Sequence, residues 1–130
     1  MGKIYNFISE CNVFFLGTVN DNKPEIRPFG AMMEYQNELY FSTGTTKQVY
    51  KQLCNNSNIQ IVALKEGTRN WIRINGTAKE VYDFDIKQIM LDTCPILKKR
   101  FDDNKSSLFA LFKISNINAI INLDNQIIQL

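Results

Sequence analysis

The sequence predicts a mainly β, α+β barrel of antiparallel strands, and three observations carry that expectation. About six or seven short β-rich runs follow one another, separated by turn residues. The helical stretches are interspersed without regular βαβ alternation, which argues against a doubly wound sheet. One long run, Trp71 to Tyr82, is interrupted by Gly76, a natural bend or bulge where a barrel closes.

Ile4, Phe7, Ile8 and Cys11 recur at helical spacing and mark an N-terminal amphipathic helix. Val13 to Val19 reads as the first strand, and Asn20-Asp21-Asn22-Lys23 as a turn. A second strand spans Glu25 to Met33, Asn37 marks a turn, and Leu39 to Thr43 is the third strand. From Thr45 to Cys54 the period becomes helical, with Val49 and Leu53 on one stripe, Tyr50 and Cys54 on another, and Asn55-Asn56-Ser57 as the stop. Ile59 to Leu64 is the fourth strand, Lys65 to Arg69 a polar loop, and Trp71 to Tyr82 the fifth strand. Asp83 or Asp85 caps a helix carrying Ile86, Ile89 and Met90, and Pro95 opens a short helical turn through Phe101. Leu108 to Ile114 is β-rich, and Ile117 to Leu130 reads as a closing hairpin around Asp124-Asn125. With no internal repeat and no linker, residues 1–130 are expected to form a single domain.

The 130 residues are 45% hydrophobic, an ordinary globular composition. A chain this short buries only about two-thirds of its unfolded surface, so an oligomer or a cofactor would supplement its core. The net charge of +2 supplies no strong field, so neither a nucleic-acid nor a membrane partner is expected. Met1 to Cys11 lacks the apolar core and cleavage site of a secretory signal, and no apolar run is long enough to span a bilayer. The three cysteines, Cys11, Cys54 and Cys94, are far apart and form no CxxC pair. They suit reduced thiols in a cytoplasm better than a disulfide framework or a metal site. The chain has no histidine, which removes Ser-His and Cys-His nucleophilic devices and most transition-metal sites. Chemistry near neutral pH is therefore expected to come from a borrowed cofactor.

Three segments could carry that chemistry. In Glu25-Ile26-Arg27-Pro28-Phe29-Gly30, the proline cannot donate to a ladder, so the strand should be an edge. Period two places Arg27, Phe29, Ala31 and Met33 on one side, where an arginine beside an aromatic could hold an anion near a flat ring. A plain surface arginine is the alternative. In Ser42-Thr43-Gly44-Thr45-Thr46-Lys47 a strand runs through hydroxyls into a helix, with Thr45 or Thr46 as N-cap. Lys47 then meets the positive end of the helix dipole with no acid beside it. A bound phosphate would turn that repulsion of about a few tenths of a kcal/mol into attraction; the alternative is a solvated lysine. The third segment starts at Trp71, with Arg73 on its face; the plain reading makes Trp71 core and pairs Arg73 with a carboxylate. Lys98-Lys99-Arg100, balanced by Asp102 and Asp103, reads as a solvated helix face. No catalytic residue can be named from these segments.

In their order and separation, the three segments resemble the pyridoxamine 5′-phosphate oxidase-like FMN-binding family in its short, single-barrel branch. The likeness runs from about Asn12 to Ala119. It implies a split β-barrel of antiparallel strands with a few flanking helices, dimerised with itself around FMN at the subunit interface. It further implies that Arg27, Thr46 and Lys47 grip the phosphate and that Pro28 and Phe29 face the isoalloxazine edge. Ser42 and Thr43 match the family's strand-end threonine, and Trp71 stands at a flavin-contacting position where the oxidases carry glutamine. The last residues, Asn122 to Leu130, lack the basic element with which the oxidases bind pyridoxal phosphate, so B6 oxidase activity is not expected. Haem-degrading relatives rely on histidine and nitroimidazole-reductase-like ones commonly carry it, which this chain does not. The resemblance implies an FMN-dependent reductase of a small molecule, drawing on NADH or NADPH. The alternatives are a non-catalytic flavin-binding or sensor module, a deazaflavin in place of FMN, and a barrel with no cofactor.

Overall fold

The computed structural model describes residues 2–101 and 108–130. Its elements run α1 (Gly2–Ser9), β1 (Phe14–Asn20), β2 (Lys23–Phe29), β3 (Met32–Tyr35), β4 (Glu38–Gly44), α2 (Gln48–Asn55), β5 (Asn58–Leu64) and β6 (Trp71–Val81). They continue with α3 (Phe84–Thr93), α4 (Pro95–Arg100), β7 (Phe109–Leu123) and β8 (Gln126–Gln129). The eight strands make one sheet in the order β2-β1-β5-β6-β7-β4-β3, with β8 added beside β7. Every strand pair is antiparallel. This is the expected α+β split-barrel architecture.

Two features account for the strand count. The expected second strand, Glu25 to Met33, is two strands that lie at opposite ends of the sheet order. β2 pairs with β1 from Phe14↔Phe29 to Asn20↔Lys23, whereas β3 pairs with β4 from Met32↔Phe41 to Tyr35↔Glu38. The chain crosses between them at Gly30-Ala31, and the period-two pattern stops at Phe29. Phe29 packs against the main core, Met32 belongs to it, and Met33 belongs to a second cluster instead. Conversely, the runs expected as Leu108 to Ile114 and Ile117 onward are one 15-residue strand. Its first part pairs with β4 and its last part with β8, so β7 is the spine of the barrel.

Gly76 does what its position in the sequence implies. The β6–β7 register shifts between Asn75 and Thr77, and opposite it Asn116 takes a positive φ of 54°. A Cβ at Gly76 would stand 2.8 Å from the Ser115 carbonyl oxygen, so only glycine lets the two backbones approach there. The hairpin at Asp124 and Asn125 has φ of 52° and 69°, the left-handed pair that suits the twist of a tight two-residue turn. At the free edge, Pro24 and Pro28 remove two backbone donors from β2, which blunts it against pairing with another strand.

Alternation builds the core. On β5, Ile59, Ile61 and Ala63 are buried while Asn58, Gln60, Val62 and Leu64 face out. The main cluster joins these to Leu16, Phe41, Ile72, Ile74 and Phe112, and is covered by Ile4, Phe7 and Ile8 of α1 and by Val49 and Leu53 of α2. The second cluster sets Met90 and Leu91 of α3 on Tyr40, Phe109 and Leu111. Asp83 caps α3, its Oδ1 accepting from the Asp85 and Ile86 amides at 2.9 and 3.1 Å.

Candidate functional site

The β2–β3 crossing, the end of β4, the start of α2 and one face of α4 enclose a cavity of about 310 Å³. Pro28, Phe29, Gly30 and Ala31 form one wall, because the crossing leaves that backbone without a strand neighbour on its far side. Ser42, Thr43 and Gly44 form the floor, fixed by their pairing with Leu111, Ala110 and Phe109. Ser42 and Thr43 are only 7% and 6% exposed, yet neither hydroxyl has a hydrogen-bond partner among the described residues. An unmet buried hydroxyl costs about 1–3 kcal/mol. Both residues line the cavity, while successive positions on β4 turn their side chains to opposite faces of the strand, so one unmet hydroxyl is available to a polar ligand there.

Lys47 lines the same cavity and is itself the N-cap of α2, with φ −82° and ψ 153°. Neither Thr45 nor Thr46 caps the helix, which begins later than the sequence suggests, and no side chain caps it. The Lys47 amide donates instead to the Gly44 carbonyl at 3.2 Å. The first turn carries no acid, so the positive end of the dipole and the Lys47 ammonium stand together with no carboxylate of that turn to offset them. Thr46 is exposed and does not line the cavity.

Arg27 stands apart from this cavity. Its guanidinium turns inward between β1 and α2, donating to the Leu16 carbonyl at 3.0 Å, Thr18 Oγ1 at 2.8 Å and Gln52 Oε1 at 2.9 Å. The Gln52 amide donates to Glu25 Oε1 at 2.9 Å, and Asn20 Nδ2 to Glu25 Oε2 at 2.7 Å. Those two hydrogen bonds hold the Glu25 carboxyl below its ordinary value of 4.5, whereas burial lowers the Arg27 value against the pull of Glu25. Arg27 and Phe29 do share the inner face, as period two implies; the anion-holding role competes with this internal network.

Trp71 is also elsewhere. It is half-buried on the outer face, opposite Leu64 and Asn122 in register, with the Arg73 guanidinium 5.4 Å from its ring centre. The plain expectation of a core tryptophan and a carboxylate-paired arginine is thus corrected, because an odd register on β6 sends both side chains outward. Trp71 lines a separate cleft with Arg69, Asn122 and Ile127.

The wall that the sequence left unassigned is α4. Ile96, Leu97, Arg100 and Phe101 line the cavity, two i, i+4 pairs on one stripe, whereas Lys98 turns away to Asp92 at 3.2 Å. Lys98, Lys99 and Arg100 are all exposed, as the solvated-face expectation has it, and Arg100 in addition lines the cavity; Asp102 and Asp103 lie outside the described residues. The signal available was that spacing, with Pro95 fixing the start of the helix. Among the described residues there is no group of metal-ligating side chains and no helix long and apolar enough to cross a membrane.

An antiparallel α+β split barrel with a cation-lined, hydroxyl-floored cavity at its open corner defines a class of small barrel proteins. Within it, the chain belongs to the pyridoxamine 5′-phosphate oxidase family, whose model matches residues 2–115. Its structure is similar to that of a NimC/NimA family protein from Clostridium acetobutylicum, at 28% identity and a TM-score of 0.90 over 100% of this chain and 92% of that one. It is similar in fold to the General Stress Protein 26 of Bacillus anthracis, at 21% identity and a TM-score of 0.77, over 99% and 97% of the two chains. A protein related to general stress protein 26, of the pyridoxinephosphate oxidase family of C. acetobutylicum, shares the fold at 16% identity and a TM-score of 0.75, over 98% and 91%. No curated protein matches the chain.

Proposed function

We propose that this protein is an FMN-binding flavoprotein, a cytoplasmic homodimer that reduces a small molecule. The observation that carries the reading is the pair of orphaned hydroxyls, Ser42 and Thr43, beside Lys47 at an uncapped helix start. A phosphate there would accept from one of these hydroxyls and from the ammonium, at the positive end of the helix dipole. The donor set fits FMN on its own chemistry, since acceptor-rich phosphate is what these unmet donors lack. Pro28 and Phe29 would then flank the ring, with the crossing backbone at its edge. Membership of a family that commonly binds flavin supports the same reading.

When bound, the flavin supplies the hydride chemistry. This chain's residues position it and exclude water: the α4 side chains Ile96, Leu97 and Phe101 form an apolar lid over one side. Among the described residues the lining holds no carboxylate, and the titratable groups there are Lys47 and Arg100. That observation favours a second reading, a flavin-binding module without catalysis of its own.

The homodimer is supported by the outer sheet face. Phe15, Val62 and Leu64 are exposed there, Phe15 and Val62 directly opposite each other on β1 and β5, with Ile26 beside them on β2. A second copy would cover this apolar strip and with it the Trp71 cleft. Mass spectrometry of the bound species separates FMN from a deazaflavin, and its reduction by NADH or NADPH separates the readings. Reduction no faster than that of free FMN favours the binding module; faster reduction favours the enzyme.

A further inference from the structure

We infer that Arg100 on α4, which lines the same cavity as Lys47, is the arginine that grips the terminal phosphate of the bound flavin. The inference rests on the reading of this cavity as a flavin site and assigns that site a residue outside its expected phosphate set.

A phosphate dianion in a half-enclosed cavity needs cationic partners, and among the described residues Lys47 and Arg100 are the charged ones lining this one. Arg27, the arginine suggested by the sequence, already donates to Leu16, Thr18 and Gln52 inside the barrel and does not line the cavity. Moving it to a phosphate would break those three bonds and leave Gln52, only 5% exposed, without one of its donors. Arg100 has no such engagement among the described residues. Its planar fork matches two phosphate oxygens, which Lys47 as a point charge does not.

Arg100 is also held in place from both sides. Leu97 and Phe101 pack on the second core cluster, and Phe101 meets Phe109 edge to face with ring centres 5.2 Å apart. The Phe101 amide closes on the Leu97 carbonyl at 2.8 Å, so the residue before it is set at the cavity mouth. An orphaned hydroxyl on the floor, from Ser42 or Thr43, then serves the same anion as the two cations. This arrangement predicts strong selection of FMN over riboflavin, which has the same ring and no phosphate.

The test is a titration of flavin-free protein with FMN and with riboflavin, followed by quenching of flavin fluorescence, for the native chain, Arg100→Gln, Arg100→Lys and Lys47→Gln. Arg100 is exposed, so its variants should melt with the native chain. Arg100→Gln is expected to weaken FMN by roughly ten- to a hundredfold, the worth of a charged hydrogen-bonded contact, and to leave riboflavin unchanged. Arg100→Lys should recover part of the loss. Arg100→Gln with native FMN affinity, or with equal losses for FMN and riboflavin, overturns the assignment of Arg100 while leaving the flavin site standing. Failure of the native chain to bind FMN overturns the site itself, and the assignment with it.

Discussion

Arg27 Nη2 donates to Gln52 Oε1 across 2.9 Å, tying the edge strand β2 to helix α2 over the end of the barrel. The same oxygen accepts from Thr18 Oγ1 at 2.6 Å, so β1, β2 and α2 meet at one buried amide. Gln52→Ala removes an acceptor from two donors at once, the buried Thr18 hydroxyl and the half-buried Arg27 guanidinium. It should lower unfolding stability by about 1–3 kcal/mol in urea titration, with Arg27→Gln costing a similar amount and the double variant less than the sum. Additive losses would show that the two residues act independently.

Glu25 gives this network a pH dependence of definite sign. Hydrogen bonds from Asn20 and Gln52 hold its folded value below the ordinary 4.5. The stability it contributes is fully present above pH 4.5 and is lost as pH falls through the folded value. Urea unfolding across the acid range should therefore show a loss of stability that is smaller in Glu25→Gln. An acid limb identical in the two proteins contradicts this placement of the carboxylate.

Gly76→Ala places a methyl 2.8 Å from the Ser115 carbonyl oxygen at the β6–β7 bulge. Backbone on both strands must shift, which should cost about 1–3 kcal/mol. Gly30→Ala is the control: nothing lies within 4 Å of a Cβ there, so its melting temperature should change little. Equal melting temperatures for the two variants would remove the bulge from its place in closing the barrel.

Asp83→Ala should cost about 1 kcal/mol, the usual worth of an N-cap that satisfies two amides. Asp83→Asn keeps an acceptor and should lose less. Chemical denaturation of both variants decides it.

These elements also mark how far the sequence could be read. Strand alternation on β5, the Gly76 interruption, the Asp83 cap and the proline edge of β2 were all legible, because each is a local rule with a local cause. The Gly30-Ala31 crossing was not, because the period-two pattern continues in the residues while the backbone changes partner from β1 to β4. Arg27 illustrates the limit at the candidate site. Its face was readable, but Gln52, 25 residues away, competes for its guanidinium, and only the tertiary arrangement brings the two together. For Arg100 the solvated reading holds, since it is exposed; its place at the cavity depends on the packing of Phe101 on Phe109, which the basic run does not reveal.

The most direct test of the flavin site is the absorption spectrum of the purified protein, with mass spectrometry of whatever denaturation releases. A flavin site at Ser42, Thr43 and Lys47 predicts a yellow protein releasing equimolar FMN, with retention weakened in Lys47→Gln. A colourless protein that also fails to quench added FMN contradicts it.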